Sequence, residues 1–111
     1  MTTRNIDPRR DPHHLAVAAR DAAILQALED HFPTGGVKVR AAALAAALEA
    51  HRAAVYWPQP RRHSEPPVGS SLRAAALHKI LFLDRGRAIG PRHIRTIIET
   101  AQRDGNAGGP F

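Results

Sequence analysis

The chain predicts a mainly α fold, a small four-helix domain in a helix-turn-helix or winged-helix-like arrangement with a long proline-rich loop and flexible termini. Three observations lead there. Apolar residues recur at three- and four-residue spacing in four separate segments, the pattern of helices that bury one face. Proline or serine stands where three of those segments begin, and prolines 58, 60, 66 and 67 split the chain in its middle. At 111 residues the chain fits one domain with a modest core. With aromatics at 5%, that core must come from Leu, Ile, Val and Ala.

Residues 1–11 read as a flexible basic arm, 12–103 as a single helical domain and 104–111 as a flexible tail. Asp11-Pro12 supplies an N-cap followed by proline at the first helical position. Leu15, Ala18, Ala22, Leu25, Leu28 and Phe32 then share a face, which predicts a first helix over Pro12 to His31. Pro33-Thr34-Gly35-Gly36 ends it. Val37-Lys38-Val39 suits either a very short strand or the start of the next helix. Arg40 to Ala54 is dense in alanine, with Leu44, Leu48, His51 and Val55 in line, and predicts the second helix.

Tyr56 to Gly69 carries the four prolines and the cluster Arg61-Arg62-His63, so it reads as a loop (residues 56–69) whose start Tyr56 and Trp57 pin to the core. Ser70 or Ser71 caps the third helix, which runs to about Asp84 on Leu72, Ala76, Leu77, Ile80, Leu81 and Leu83. Gly86 is placed to stop it. Gly90-Pro91 opens the fourth helix, which reaches Arg103.

Charge is unevenly distributed. Residues 1–55 hold seven basic and six acidic side chains, against nine and four in residues 56–111. Between Arg61 and Arg95, eight basic residues face two acids, an excess of six that equals the formal net charge of the whole chain, +6. The amount of charge proves little, because 14 of the 16 basic residues are Arg in an Ala- and Pro-rich chain, the bias of a GC-rich genome. Its position is the informative part.

At about 100° per residue, Ile94, Ile97, Ile98 and Ala101 fall on one side of the fourth helix. Arg92, Arg95, Thr96, Glu99, Gln102 and Arg103 fall on the other. Arginines on one exposed face suit phosphate contact and bidentate readout of guanine edges in a major groove. Thr96 adds a neutral polar group, and Glu99 pairs with Arg95 or Arg103. Helices three and four are read as a helix-turn-helix pair, although the connection Arg85 to Gly90 exceeds the usual three to four residues. Arg85, Arg87 and Lys79 are assigned to DNA contact; Arg61 and Arg62 in the loop and Arg4, Arg9 and Arg10 in the arm suit flanking phosphates or a minor groove, and the arm equally suits mobile charge that aids solubility.

Other chemistry finds no support. Cysteine is absent, which excludes disulfides and Cys-ligated zinc and suits a reducing cytoplasm. No apolar run approaches the roughly 20 residues that span a bilayer, and Met1 to Pro12 does not read as a secretion signal. The seven histidines show no pair at helical i,i+4 spacing with a supporting carboxylate, so no metal is expected. His78 and His93 are assigned to capping, packing or phosphate contact. There is no phosphate loop with its lysine and no serine elbow, and Ser64, Ser70 and Ser71 suit turns and caps. No enzyme activity and no cofactor are expected.

The order Ile24-Leu25 to Phe32, Leu44 to Leu48, Trp57-Pro58, Leu77 to Leu81 and Ile89-Gly90-Pro91-Arg92-His93-Ile94-Arg95 resembles the small helical C-terminal module of phage and plasmid replication helicase-primase proteins. That module commonly carries an Ile-x-Pro-Arg-x-Ile-Arg-like segment. The likeness covers residues 20–98; the long loop departs from it, as does the lack of a Gly-Tyr near the end. It implies a replication or mobile-element accessory protein with a winged-helix-like fold, and it carries no catalytic residues over.

The residues together predict a small cytoplasmic protein that binds double-stranded DNA through an arginine-faced helix, as a transcriptional regulator or as an accessory factor to replication or transcription machinery. The alternative is an adaptor or inhibitor that docks on an acidic surface of a larger complex, since arginine is enriched at protein interfaces too. RNA is disfavoured, because aromatics for base stacking are not interleaved with the basic residues. The Ala-rich second helix offers a homodimer face.

Overall fold

The computed structural model describes residues 12–58, 66–87 and 89–107, with side chains described for 15–58, 66–87 and 89–104. The described residues form α1 (Pro12–His31), α2 (Val37–His51), α3 (Leu72–Leu83) and α4 (Pro91–Ala107), with a π-helical turn, Arg52–Tyr56, continuing α2. No strand occurs among them. α1 packs chiefly on α3 and α2 chiefly on α4, while α2–α3 and α1–α4 contacts close the bundle. α3 and α4, the expected helix-turn-helix pair, thus dock mainly on the other two helices rather than on each other.

The core is aliphatic. Ile24 and Leu28 from α1, Leu44 and Leu48 from α2, Ile80 and Leu81 from α3, and Ile94 from α4 are fully buried. Each such side chain contributes about 1.5–3 kcal/mol by leaving water. α1 is rotated relative to the apolar stripe read from its sequence: Leu15, Ala18 and Ala22 are exposed, and the inward line runs through Val17, Arg20, Ile24, Ala27 and Leu28. Arg20 lies on this inward side, where it meets Asp84.

Helix ends follow local chemistry. Gly35, at φ +97°, reverses the chain, and a Cβ there would meet Val39 Cγ1 at 3.0 Å. Val37 to Val39 accordingly form the first turn of α2 rather than a strand. Arg40 reaches back and donates from Nε to the Phe32 carbonyl at 2.8 Å, satisfying the end of α1. Ser71 is the cap of α3, accepting from the Ala74 N–H at 3.0 Å, while the Ser70 hydroxyl closes the preceding turn on the Pro67 carbonyl. α4 continues to Ala107, past the expected end at Arg103.

α3 ends in a double reversal. Arg85 takes the left-handed conformation at φ +59°, and Gly86 follows at φ +78°. The Arg85 and Gly86 N–H groups bond to the carbonyls of Phe82 at 3.2 Å and Leu81 at 2.6 Å, a Schellman closure with arginine in the usual glycine position. Gly86 is needed one residue later, where Tyr56 and Trp57 press on the backbone and a Cβ would sit 2.7 Å from Tyr56 Cε2. The Arg52 Nε donates to the Gly86 carbonyl at 2.7 Å, bolting the π turn to the end of α3. Tyr56 is buried by this contact as expected, whereas Trp57 stays 40% exposed with its ring edge on Gly86.

Two histidines occupy the seam between α2 and α3. His51 Nε2 and His78 Nδ1 lie 3.0 Å apart, both rings are buried, and Tyr56 stacks at a tilt on His78. One nitrogen must donate and the other accept, so the two rings cannot both be charged while this bond stands. Burial, and then the neighbouring His78, push the His51 imidazole below its ordinary value.

Two outcomes are expected. Gly86→Ala should cost about 2–4 kcal/mol in urea unfolding, from the positive φ together with the clash on Tyr56. Because the folded state resists protonating His51 and the unfolded state does not, stability should be full above about pH 6.5 and fall as pH drops below it, by at most about 1.4 kcal/mol per pH unit from this group. His51→Leu should flatten that acid-side decline between pH 8 and 5.5, and an unchanged slope would show that His51 does not carry it.

Candidate nucleic-acid interface

Packing α4 on α2 fixes which side of α4 meets water. Ile94, Ile97 and Ile98 are buried, so Arg92, Arg95, Thr96, Glu99, Gln102 and Arg103 all stand exposed. The Thr96 hydroxyl donates to the Arg92 carbonyl at 3.1 Å, which keeps that side chain against the helix. Arg95 Nε lies 3.6 Å from Glu99 Oε2, a loose exposed pair one turn apart. With a rise of about 1.5 Å per residue, Arg92 and Arg103 are about 16 Å apart along the axis.

A basic residue not singled out in the sequence joins them. Lys38, in the first turn of α2, lines a groove of about 350 Å³ with Ala42, Pro91, Arg92 and Arg95. No carboxylate lines it, and the first turns of α2 and α4 contain no acid. Three cations from two helices thus converge where the sequence offered two from one.

A second groove, of about 280 Å³, lies between α1 and the end of α3, lined by Ala16, Val17, Arg20, Leu83, Asp84, Arg85 and Arg87. Arg20 is its anchor. Its guanidinium donates to Asp84 at 3.1 Å and to Asp21 at 2.9 and 3.0 Å, and lies 3.5 Å from His93 Nε2 in the first turn of α4. Burial opposes the charge on Arg20, but the hydrogen bonds and attraction of Asp21 and Asp84 outweigh it and hold the group above its ordinary pKa. The Asp84 carbonyl accepts from the Arg87 backbone at 3.2 Å and from its Nε at 3.4 Å, so the turn that presents Arg85 and Arg87 is tied to α1 through Asp84.

The structure therefore brings Arg92, Arg95, Thr96 and Arg103 onto one face and sets Arg85 and Arg87 beside a separate groove. Lys79 is exposed on α3 and lines neither groove. Arg61 and Arg62, and the arm residues Arg4, Arg9 and Arg10, lie outside the described residues. Among the described residues no group of three or more His, Cys, Asp or Glu converges, and no helix is long and apolar enough to cross a membrane. His78 packs in the core, while His93 is exposed beside Arg20.

Comparison with protein-family models, with characterised proteins and with solved structures yields no match for this chain.

The Arg20–Asp84 pair is 11% exposed on both sides, so removing Arg20 leaves the Asp84 carboxylate buried without its cation, whereas removing Asp84 still leaves Arg20 its bonds to Asp21. Asp84→Ala should cost about 1–3 kcal/mol by denaturant unfolding, the scale of one charge-assisted hydrogen bond. Arg20→Ala combined with it should cost clearly less than the sum of the two single variants. Additive losses would mean that the two side chains do not act as a pair.

Proposed function

We propose that this protein binds double-stranded DNA through the outer face of α4, with Arg92 and Arg95 as the central contacts. The observation that carries this reading is the convergence of Arg92, Arg95 and Lys38 on one groove without a carboxylate in its lining. An ion-pairing role within the fold would leave these cations paired. Instead Lys38 and Arg92 have no ion-pair partner among the described residues, and Arg95 has only the 3.6 Å contact to Glu99.

Phosphate contacts position such a protein and base contacts specify the site. Arg92 and Arg95 have the planar fork that suits a phosphate or the O6 and N7 edge of guanine. Thr96 and Arg103 extend the same face, and the turn carrying Arg85 and Arg87 would meet flanking backbone. The resemblance to a replicative module favours an accessory role in replication or on a mobile element; a transcriptional regulator would use the same face.

Arg92→Ala with Arg95→Ala should lower affinity for a duplex by about 100-fold at moderate salt and leave the circular dichroism spectrum unchanged, since both side chains are exposed. Unchanged affinity would remove α4 as the reader. Weak retention of the intact protein, indifferent to sequence, would favour the adaptor that docks on an acidic protein surface.

A further inference from the structure

We infer that Lys38, Arg92 and Arg95 form a seat for one phosphodiester of the DNA backbone, and that Glu99 is a built-in competitor for it. The inference rests on the DNA-binding reading above and sharpens it to one ligand group and one regulating side chain.

The groove is shaped by the helices that supply its charges. Lys38 and Arg92 each occupy the second position of their helix, and Arg95 follows Arg92 by one turn, so the three charges approach from two sides. Ala42 and Pro91 complete the lining with short side chains that leave the space between the cations open. The seat is built by the α2–α4 packing, because without it Lys38 and Arg92 lie on unrelated elements. A phosphodiester carries one negative charge over two free oxygens, which matches a compact ammonium on one side and guanidinium forks on the other.

Among the described residues Glu99 is ion-paired with Arg95 only. Its carboxylate faces the Arg95 Nε edge at 3.6 Å, from one turn further along α4. The terminal nitrogens of Arg95 have no hydrogen-bond partner among the described residues. A carboxylate one turn away mimics the phosphate electrostatically and competes for the same cation. A phosphate can reach those terminal nitrogens while the pair stands, so Glu99 lowers affinity by offsetting the charge of Arg95 and by repelling the incoming backbone.

The test is fluorescence anisotropy of the full-length protein with one labelled 20-base-pair duplex across a series of salt concentrations, comparing wild type, Lys38→Gln, Lys38→Arg and Glu99→Gln. Lys38→Gln should weaken binding and reduce the slope of log affinity against log salt by about 0.9, the loss of one phosphate contact. Lys38→Arg should restore the slope. Glu99→Gln should tighten binding by about two- to fivefold, the scale of one exposed ion pair. If wild type binds the duplex but Lys38→Gln matches it at every salt concentration, or Glu99→Gln binds no better, the seat is overturned while DNA binding stands. If wild type shows no duplex binding at low salt, the DNA reading and the seat fall together. An equal slope change on single-stranded RNA of the same length would overturn duplex DNA as the ligand.

Discussion

Burial of the isoleucine edge of α4 is the constraint on which the rest of this molecule depends. Ile94, Ile97 and Ile98 are removed from water as α4 packs on α2, whose Leu44 and Leu48 are buried in the same core. A helix that hides three isoleucines at three- and four-residue spacing has no choice about its other side. Arg92, Arg95, Thr96 and Arg103 are presented outward as a consequence, and the same packing brings Lys38 alongside. The cationic groove is a property of the helix pair.

Polar links brace this aliphatic core at its margins. Arg20 joins α1 to the end of α3, Arg52 joins the π turn to Gly86, Arg40 closes the end of α1, and His51 meets His78 between α2 and α3. Such buried or half-buried contacts add little net stability compared with apolar burial, but each is costly to break on one side. They select one arrangement of short helices that the small core alone would specify loosely. The turn over residues 84–87 shows the effect most clearly, since it is held from α1 by Arg20 and from the π turn by Arg52 while it displays Arg85 and Arg87 to solvent.

Where local chemistry decides, the sequence was legible. Pro12, a serine at 70 or 71 and Gly90-Pro91 mark helix starts by capping and proline rules, and the starts of α1 and α4 follow from them. The two faces of α4 are likewise written in its period. What could not be read depends on contacts between distant residues. Arg20 looks like a solvent-facing charge until Asp84 appears 64 positions later. Lys38 is an isolated lysine until α4 lies beside α2, and His51 and His78 are scattered histidines until two helices bring them within 3.0 Å. Val37 to Val39 has strand-like residues yet forms a helical turn, because Gly36 starts α2 immediately before it. The pairing of α1 with α3 and of α2 with α4 is tertiary information of the same kind.

We propose that one surface, at the junction of the first turns of α2 and α4, receives duplex DNA. A titration of ¹⁵N-labelled protein with a short duplex, followed by amide chemical shifts, tests it most directly. The largest shifts should concentrate at Lys38, Arg92, Arg95 and Thr96, move progressively with added duplex and fade at high salt. Shifts confined to the exposed faces of α1 and α3, or a spectrum indifferent to DNA at low salt, would contradict it.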